Sequence, residues 1–332
     1  MTAERSRPFL SVVVKCLNEA ENLGACLRTL LAETASLDAE IIVVDSQSTD
    51  GSVDIARHHP VRIVQIAKAE DRRCGAIAQL GYQSARGRFV LLIDGDMELM
   101  PDFLDTALPL FAADDRLAGV GGQLIELSEG LEFRERAARG RRIPGKTVPH
   151  ITGCALYRAA AIRQSGYLTN RNLHCFEEFE LGLRLRRDGW RLQLLDVDCV
   201  RHHGHRDPPT RLLLRRWRTR FLHGHGELLR DAFRRPDFVR ATAPCRIAIL
   251  TVLWWVSTGT VAALAPNSPF ALAALAVFPL LPFAVLVARK RSIGRAAYAF
   301  AMAQLSAASL IRGLLAHRFE PTEAVPAIVL KA

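Results

Sequence analysis

Four short apolar runs near the N-terminus, separated by helix-length segments, constrain this chain more than any other feature. Phe9–Val14, Glu40–Val44 and Phe89–Ile93 are too uniformly apolar for a strand with one wet face, and Val61–Ile66 reads as a further strand. Between them, Glu19–Leu31 places Leu23, Leu27, Leu30 and Leu31 on one helical face, and Ser52–His58 and Gly75–Ala85 also read as helices. The β-α-β-α order predicts an α/β domain built on an open, mostly parallel sheet. Ligands of such sheets bind beyond the carboxyl ends of the strands. Asp45 and Asp94 stand directly after two of the runs, at those ends.

The C-terminal third has another character. The runs 247–265 and 270–288 are nineteen residues each without a charge, joined by a Pro-Asn-Ser-Pro turn and followed by Arg289, Lys290 and Arg291. Each is long enough to span a bilayer core as a helix, with Pro279 and Pro282 kinking the second. The flanking basic residues predict that both outer ends lie in the cytoplasm. The segment 296–315 reads either as a third span or as an interfacial helix, since Gln304 and Arg312 interrupt it. The whole predicts a catalytic domain over 1–205, a basic amphipathic interfacial segment over 206–245 and a membrane anchor over 246–332.

Charge points the same way. The chain of 332 residues carries a formal +10, and twelve Arg against four acidic residues lie between Arg201 and Arg246. Arg interleaved with Leu212, Trp217 and Phe221 fits a helix in the headgroup layer of an anionic membrane surface. Nucleic acid is disfavoured, because no binding motif accompanies the charge. The seven cysteines form no CxxC pair, and no signal-peptide pattern precedes the first apolar run. Both predict a reducing, cytoplasmic setting for the first domain, on the inner (plasma) membrane.

Asp94-Gly95-Asp96 carries the chemistry. Two carboxylates separated by glycine at a strand end can turn into one crevice. Hard cations such as Mg²⁺ or Mn²⁺ take oxygen ligands and leave room for substrate phosphates. A cation there would draw off a departing nucleotide diphosphate. His202-His203-Gly204-His205 follows the strand Leu192–Val200, and reads either as a solvated cluster or as a metal or phosphate contact from His203 or His202.

Four blocks in order resemble the family 2 glycosyltransferases of GT-A fold. They are Ser11-Val-Val-Val-Lys-Cys-Leu-Asn18-Glu19, Val44-Asp45-Ser-Gln-Ser48-Thr49-Asp50-Gly51-Ser52, Leu92-Ile-Asp94-Gly-Asp96, and Glu177-Glu178-Phe-Glu180-Leu-Gly-Leu-Arg184. The resemblance covers roughly Ser11 to His205. It implies that Asn18, Glu19, Asp45, Arg73, Asp94 and Gly153 line the nucleotide-sugar site, that Asp94 and Asp96 hold the metal, and that Glu178, supported by Glu177, is the catalytic base. Gly166 and Tyr167 resemble the entry to the acceptor loop. Asp45 reads equally as an Asx turn, and Glu19 as a first-turn helix residue. The family's frequent A-R-N-x-G reads Ala78-Gln79-Leu80-Gly81 here, a departure that weakens the assignment of Arg72 or Arg73 to the diphosphate.

The implied function is metal-dependent, inverting transfer of a sugar from a nucleotide-diphospho-sugar to a membrane-associated lipid or lipid-linked glycan. Two alternatives stand beside it: transfer onto a polyprenyl phosphate itself, and a non-catalytic scaffold that binds nucleotide or lipid. Few spans, and Leu where the Q-x-x-R-W element of processive synthases has Gln, favour transfer of single sugars.

Overall fold

The computed structural model describes residues 7–128, 146–204, 208–264, 269 and 277–332. They form two compact units: residues up to Arg206 together with Arg318–Ala332, and Asp207–His317.

The first unit is a ten-stranded sheet with helices on both faces. Its strands are β1 (Leu10–Cys16), β2 (Ala39–Asp45), β3 (Arg62–Ile66), β4 (Phe89–Asp94), β5 (Met97–Leu99), β6 (Leu117–Glu126), β7 (Lys146–Thr147), β8 (Ala155–Arg158), β9 (Arg191–His202) and β10 (Ala327–Lys331). The order is β10-β3-β2-β1-β4-β8-β6-β9-β5, with β7 on β9. Its helices are α1 (Leu23–Glu33), α2 (Ser52–Arg57), α3 (Cys74–Ser84), α4 (Phe103–Ala113), α5 (Ala159–Gln164) and α6 (Glu177–Arg187).

The sheet is mixed. The block β3-β2-β1-β4 is parallel as predicted, but β8 enters antiparallel to both β4 and β6, and β10 runs antiparallel to β3. Alternation explains why β1 reads as a continuous run. Val12 and Val14 pack on one face with α1 and α4, while Val13 packs on the other with α3 and α6. The α3 side needs Gly81, since a Cβ there would come within 2.1 Å of Val13 Cγ1. Register then brings the chemistry together: Cys16 pairs with Asp45 and Lys15 with Asp94, so β1 sets the two aspartate-bearing strand ends on either side of itself.

The second unit comprises α7 (Pro209–Arg218), a 3₁₀ turn at Phe221–His223, α8 (Gly224–Ala232), α9 (Phe238–Ala241), α10 (Arg246–Leu264), α11 (Leu281–Lys290) and α12 (Ile293–Leu315). Two of these, α10 and α12, are long and apolar enough to cross a membrane. The run 247–265 corresponds to α10, and 296–315 lies inside α12. Of 270–288, the first seven residues lie outside the described ones. The remainder is a 3₁₀ turn at Phe278–Leu280 followed by the ten residues of α11.

Candidate active site

The crevice forms at the carboxyl ends of β1 and β4. Lys15 Nζ lies 2.8 Å from Asp94 Oδ1 and 3.9 Å from Glu177 Oε1. The Gly95 N–H donates to the Lys15 carbonyl at 2.8 Å, which fixes the turn between the two aspartates. Asp96 is buried, and His202 Nε2 stands 3.2 Å from its Oδ2. Glu19 closes the third side, since a Cβ on Gly95 would come within 3.3 Å of Glu19 Cγ.

Too much negative charge is gathered here for its surroundings. Burial, then Asp96 and Asp94, push the Glu19 carboxyl up to about 8. His202 is raised too: burial disfavours its charge, but hydrogen bonds it donates to Asp96 and Glu126, and their negative charge, outweigh that and raise it to about 9. An acid that resists ionising and an imidazole that stays protonated both mark a place that lacks cation charge.

Those side chains suit a hard divalent cation. Among the described residues no three His, Cys, Asp or Glu groups form a ready metal cage; Lys15 and His202 occupy the two aspartates instead. Oxygen donors with an incomplete protein shell are what Mg²⁺ or Mn²⁺ takes when phosphate oxygens and water complete it. Glu126 Oε2 holds the other ring nitrogen of His202, Nδ1, at 2.9 Å, the way a carboxylate orients an imidazole that faces a metal. Of the two histidines, it is His202 that meets Asp96. The His203 side chain turns instead to Glu98 Oε1 at 2.5 Å. We expect His202→Ala to weaken Mn²⁺ binding by about 10- to 100-fold in a metal titration, while His203→Ala leaves it unchanged; equal losses would sink this choice.

Glu177 and Glu178 open α6. Glu178 Oε1 accepts the Gly153 N–H at 3.0 Å, and Gly153 adopts φ +83°, a conformation glycine allows. Burial pushes Glu178 up to about 8; Lys15 opposes this and Glu177 and Asp94 add to it. Glu180 has a structural role. Buried Arg184 pairs with it at 3.1 Å and donates to the Ser165, Tyr167 and Leu168 carbonyls, while the Tyr167 hydroxyl donates to Glu180 at 3.2 Å.

Three predicted donor-site residues are engaged in contacts of their own. Asp45 is fully buried: both its oxygens accept the Ser48 N–H, and Gln65 Nε2 donates to Oδ2 at 2.7 Å. The Asx-turn reading is the one this geometry carries. Asn18, at φ 57°, stitches two loops together, accepting the Thr49 N–H at 2.8 Å and donating its own N–H to Ser48 Oγ at 2.9 Å. Arg73 is buried with its guanidinium 5.2 Å from the Phe319 ring, whereas Arg72 is exposed and donates to the Gln47 carbonyl at 2.5 Å. The sequence reading missed Lys15, whose only signal was a charge inside an apolar strand.

Comparison with known families decides the class. The profile of glycosyl transferase family 2 matches residues 11–166, and that of glycosyl transferase family group 2 matches residues 89–308, about two thirds of the chain. The chain belongs to glycosyltransferase family 2. Among relatives, this glycosyltransferase is 28% identical over 108 residues to the uncharacterized glycosyltransferase YibD of Escherichia coli (strain K12), covering 32% of this chain and 31% of YibD. It is 28% identical over 182 residues to the undecaprenyl-phosphate 4-deoxy-4-formamido-L-arabinose transferase of Edwardsiella ictaluri, covering 51% of this chain and 53% of that protein. The chain therefore spans less than a third of one of these relatives and about half of the other. The solved mannosyltransferase PcManGT of Pyrobaculum calidifontis, in complex with GDP-Man and Mn²⁺, superposes with TM-score 0.57 at 21% identity over 92% of this chain and 88% of that one. This likeness shows the GT-A fold.

Proposed function

We propose that this glycosyltransferase moves a sugar, with inversion at the anomeric carbon, from a nucleotide-diphospho-sugar to a hydroxyl of a membrane-associated lipid or lipid-linked glycan. One observation carries the reading. Lys15 lies between Asp94 and Glu177, the residue next to the base candidate Glu178, so proton acceptor and diphosphate site border one crevice. Glu178 would take the acceptor proton while the diphosphate leaves from the opposite face. Glu177 would support it by holding Lys15. Asp94, Asp96 and His202 would hold Mg²⁺ or Mn²⁺, and the bound ion would stabilise the leaving diphosphate. Glu19 and Asn18 would border the nucleotide, and Asp45 would hold its loop in shape. Exposed Arg72 is better placed than Arg73 to meet a phosphate. The solved relative with GDP-Man and Mn²⁺ supports a donor and ion of this kind.

The apolar helices α10 and α12, with the Arg-rich segment before them, support a membrane anchor, and the surplus of Arg supports a sheet unit on the cytoplasmic side of the plasma membrane. A second reading has support in the name of the Edwardsiella relative: transfer onto a polyprenyl phosphate, whose oxygen needs little help from a base.

The test is turnover of a panel of nucleotide-sugars by the full chain in detergent, with Mn²⁺ or EDTA. Removing the ion is expected to lower release of nucleoside diphosphate by about 10²-fold or more, equivalent to losing a few kcal/mol of charge stabilisation. Nucleotide binding that ignores the metal, with no turnover of any donor, would leave the scaffold reading standing instead.

A further inference from the structure

After the second unit the chain returns to the sheet it left. Strand β10 pairs with β3, in the sheet that contains β1 to β9. A hydrogen-bonded sheet of this kind cannot be divided by a bilayer, because open strand edges are not tolerated in hydrocarbon. Whatever crosses a membrane between Asp207 and His317 must therefore cross an even number of times.

Contacts within the second unit identify the crossings. Trp255 Nε1 donates to Gln304 Oε1 at 2.6 Å, setting the middle of α10 beside the middle of α12. Cys245, just before α10, donates to the His225 carbonyl of α8. Gly226 of α8 lies so close to the end of α12 that a Cβ would come within 2.0 Å of the Leu310 carbonyl oxygen. The start of α10 and the end of α12 thus share one level, at α8, and the two helices run antiparallel. From Arg246 to Trp255, and from Gln304 to Gly313, each helix climbs about 14 Å at 1.5 Å per residue. A similar length carries α10 on to Leu264 and α12 back to Ile293. Their full lengths, about 28 and 34 Å, match a hydrocarbon core of about 30 Å.

Residues 277–291 run from the middle of these helices toward the far end. Phe278 stacks on Trp254 at 3.8 Å, and Phe283 meets Phe300 edge-on at 5.8 Å. From the mid-level of α10 the chain then climbs through α11 to Arg289, Lys290 and Arg291, beside the start of α12. Within α10, the hydroxyls of Thr251, Ser257, Thr258 and Thr260 all donate to the carbonyl four residues back, at 2.8–2.9 Å. They leave no donor facing outward into lipid.

We infer that the hydrocarbon core of a lipid bilayer surrounds α10 and α12, that these helices are the two crossings, and that residues 277–291 lie in its far half and end on the far side. This rests on the membrane-anchored reading above. It replaces the expected pair 247–265 and 270–288, which would bring Arg289–Arg291 back to the cytoplasm, and it excludes a third span. Ten Arg between Arg211 and Arg246 outnumber the four basic residues 289, 290, 291 and 295, so the charge bias still keeps the α7–α9 side in the cytoplasm.

The experiment labels Ser292→Cys and Thr322→Cys variants of the full chain with a membrane-impermeant maleimide, in right-side-out and inside-out vesicles. The parent protein, whose seven native cysteines are free, is the background. Carbonate extraction is run alongside. Expected is labelling at 292 only from outside and at 322 only from the cytoplasmic face, in protein that resists carbonate. Labelling of 292 from the cytoplasmic face, or of 322 from outside, in carbonate-resistant protein overturns the assignment of crossings but keeps the anchor. Release of the protein by carbonate overturns both.

Discussion

Replacing Glu178 by Gln is expected to lower kcat by about 10²- to 10⁴-fold, the usual contribution of a positioned general base. The substitution keeps the shape of the side chain and an oxygen to accept the Gly153 N–H, so fold and nucleotide affinity should persist. The pH profile supplies the sharper readout. Only the carboxylate can take a proton, and burial, with Glu177 and Asp94 adding to it against Lys15, raises this group to about 8. The parent enzyme should therefore gain kcat as pH rises toward that value, whereas the variant should lack this limb. Near-full activity in Glu178→Gln, combined with loss in Asp96→Asn, would move the acceptor assignment to a phosphate oxygen.

Arg171→Ala is expected to destabilise the sheet unit by about 3–5 kcal/mol, the cost of leaving a buried charge without its partner. Arg171 Nη2 lies 3.0 Å from Asp71 Oδ1, with both side chains almost fully enclosed. Its Nη1 donates to the carbonyls of Glu323 and Ala324, and the guanidinium stands 4.4 Å from the Phe319 ring. One side chain thus joins the turn that carries Arg72 and Arg73 to the segment that returns from the second unit. Denaturant unfolding of the detergent-solubilised protein measures the loss, and Arg171→Met with Asp71→Leu should recover much of it, since an apolar pair leaves no orphaned charge. A loss below about 1 kcal/mol, typical of exposed pairs, would show that the contact does not hold the segment.

The parallel half of the sheet was legible because strands covered on both faces leave an unbroken apolar signature. Phe9–Val14, Glu40–Val44 and Phe89–Ile93 correspond to β1, β2 and β4. Other elements carried no such mark. Strand β6 contains Gly119, Gly121 and Gly122, and the pattern of β10 is lost behind the apolar helices that precede it. Strand direction was hidden too, because antiparallel β8 reads like its neighbours. Hydropathy found the apolar segments of the second unit, but a run of uncharged residues does not say where the chain turns back.

By itself the sequence determined the family, the α/β class, and the residues able to do chemistry: two aspartates at a strand end and two glutamates opening a helix. These follow from residue type and short spacing, which local chain geometry carries. Tertiary structure alone decided that Lys15 joins Asp94 to Glu177, that His202 rather than His203 meets Asp96, that Asp45 holds a turn, and that β10 closes the sheet after the apolar helices. Each of these depends on register or on contacts between residues far apart in sequence. A shift of one residue along a strand turns a side chain to the opposite face, and nothing local in the sequence fixes that shift.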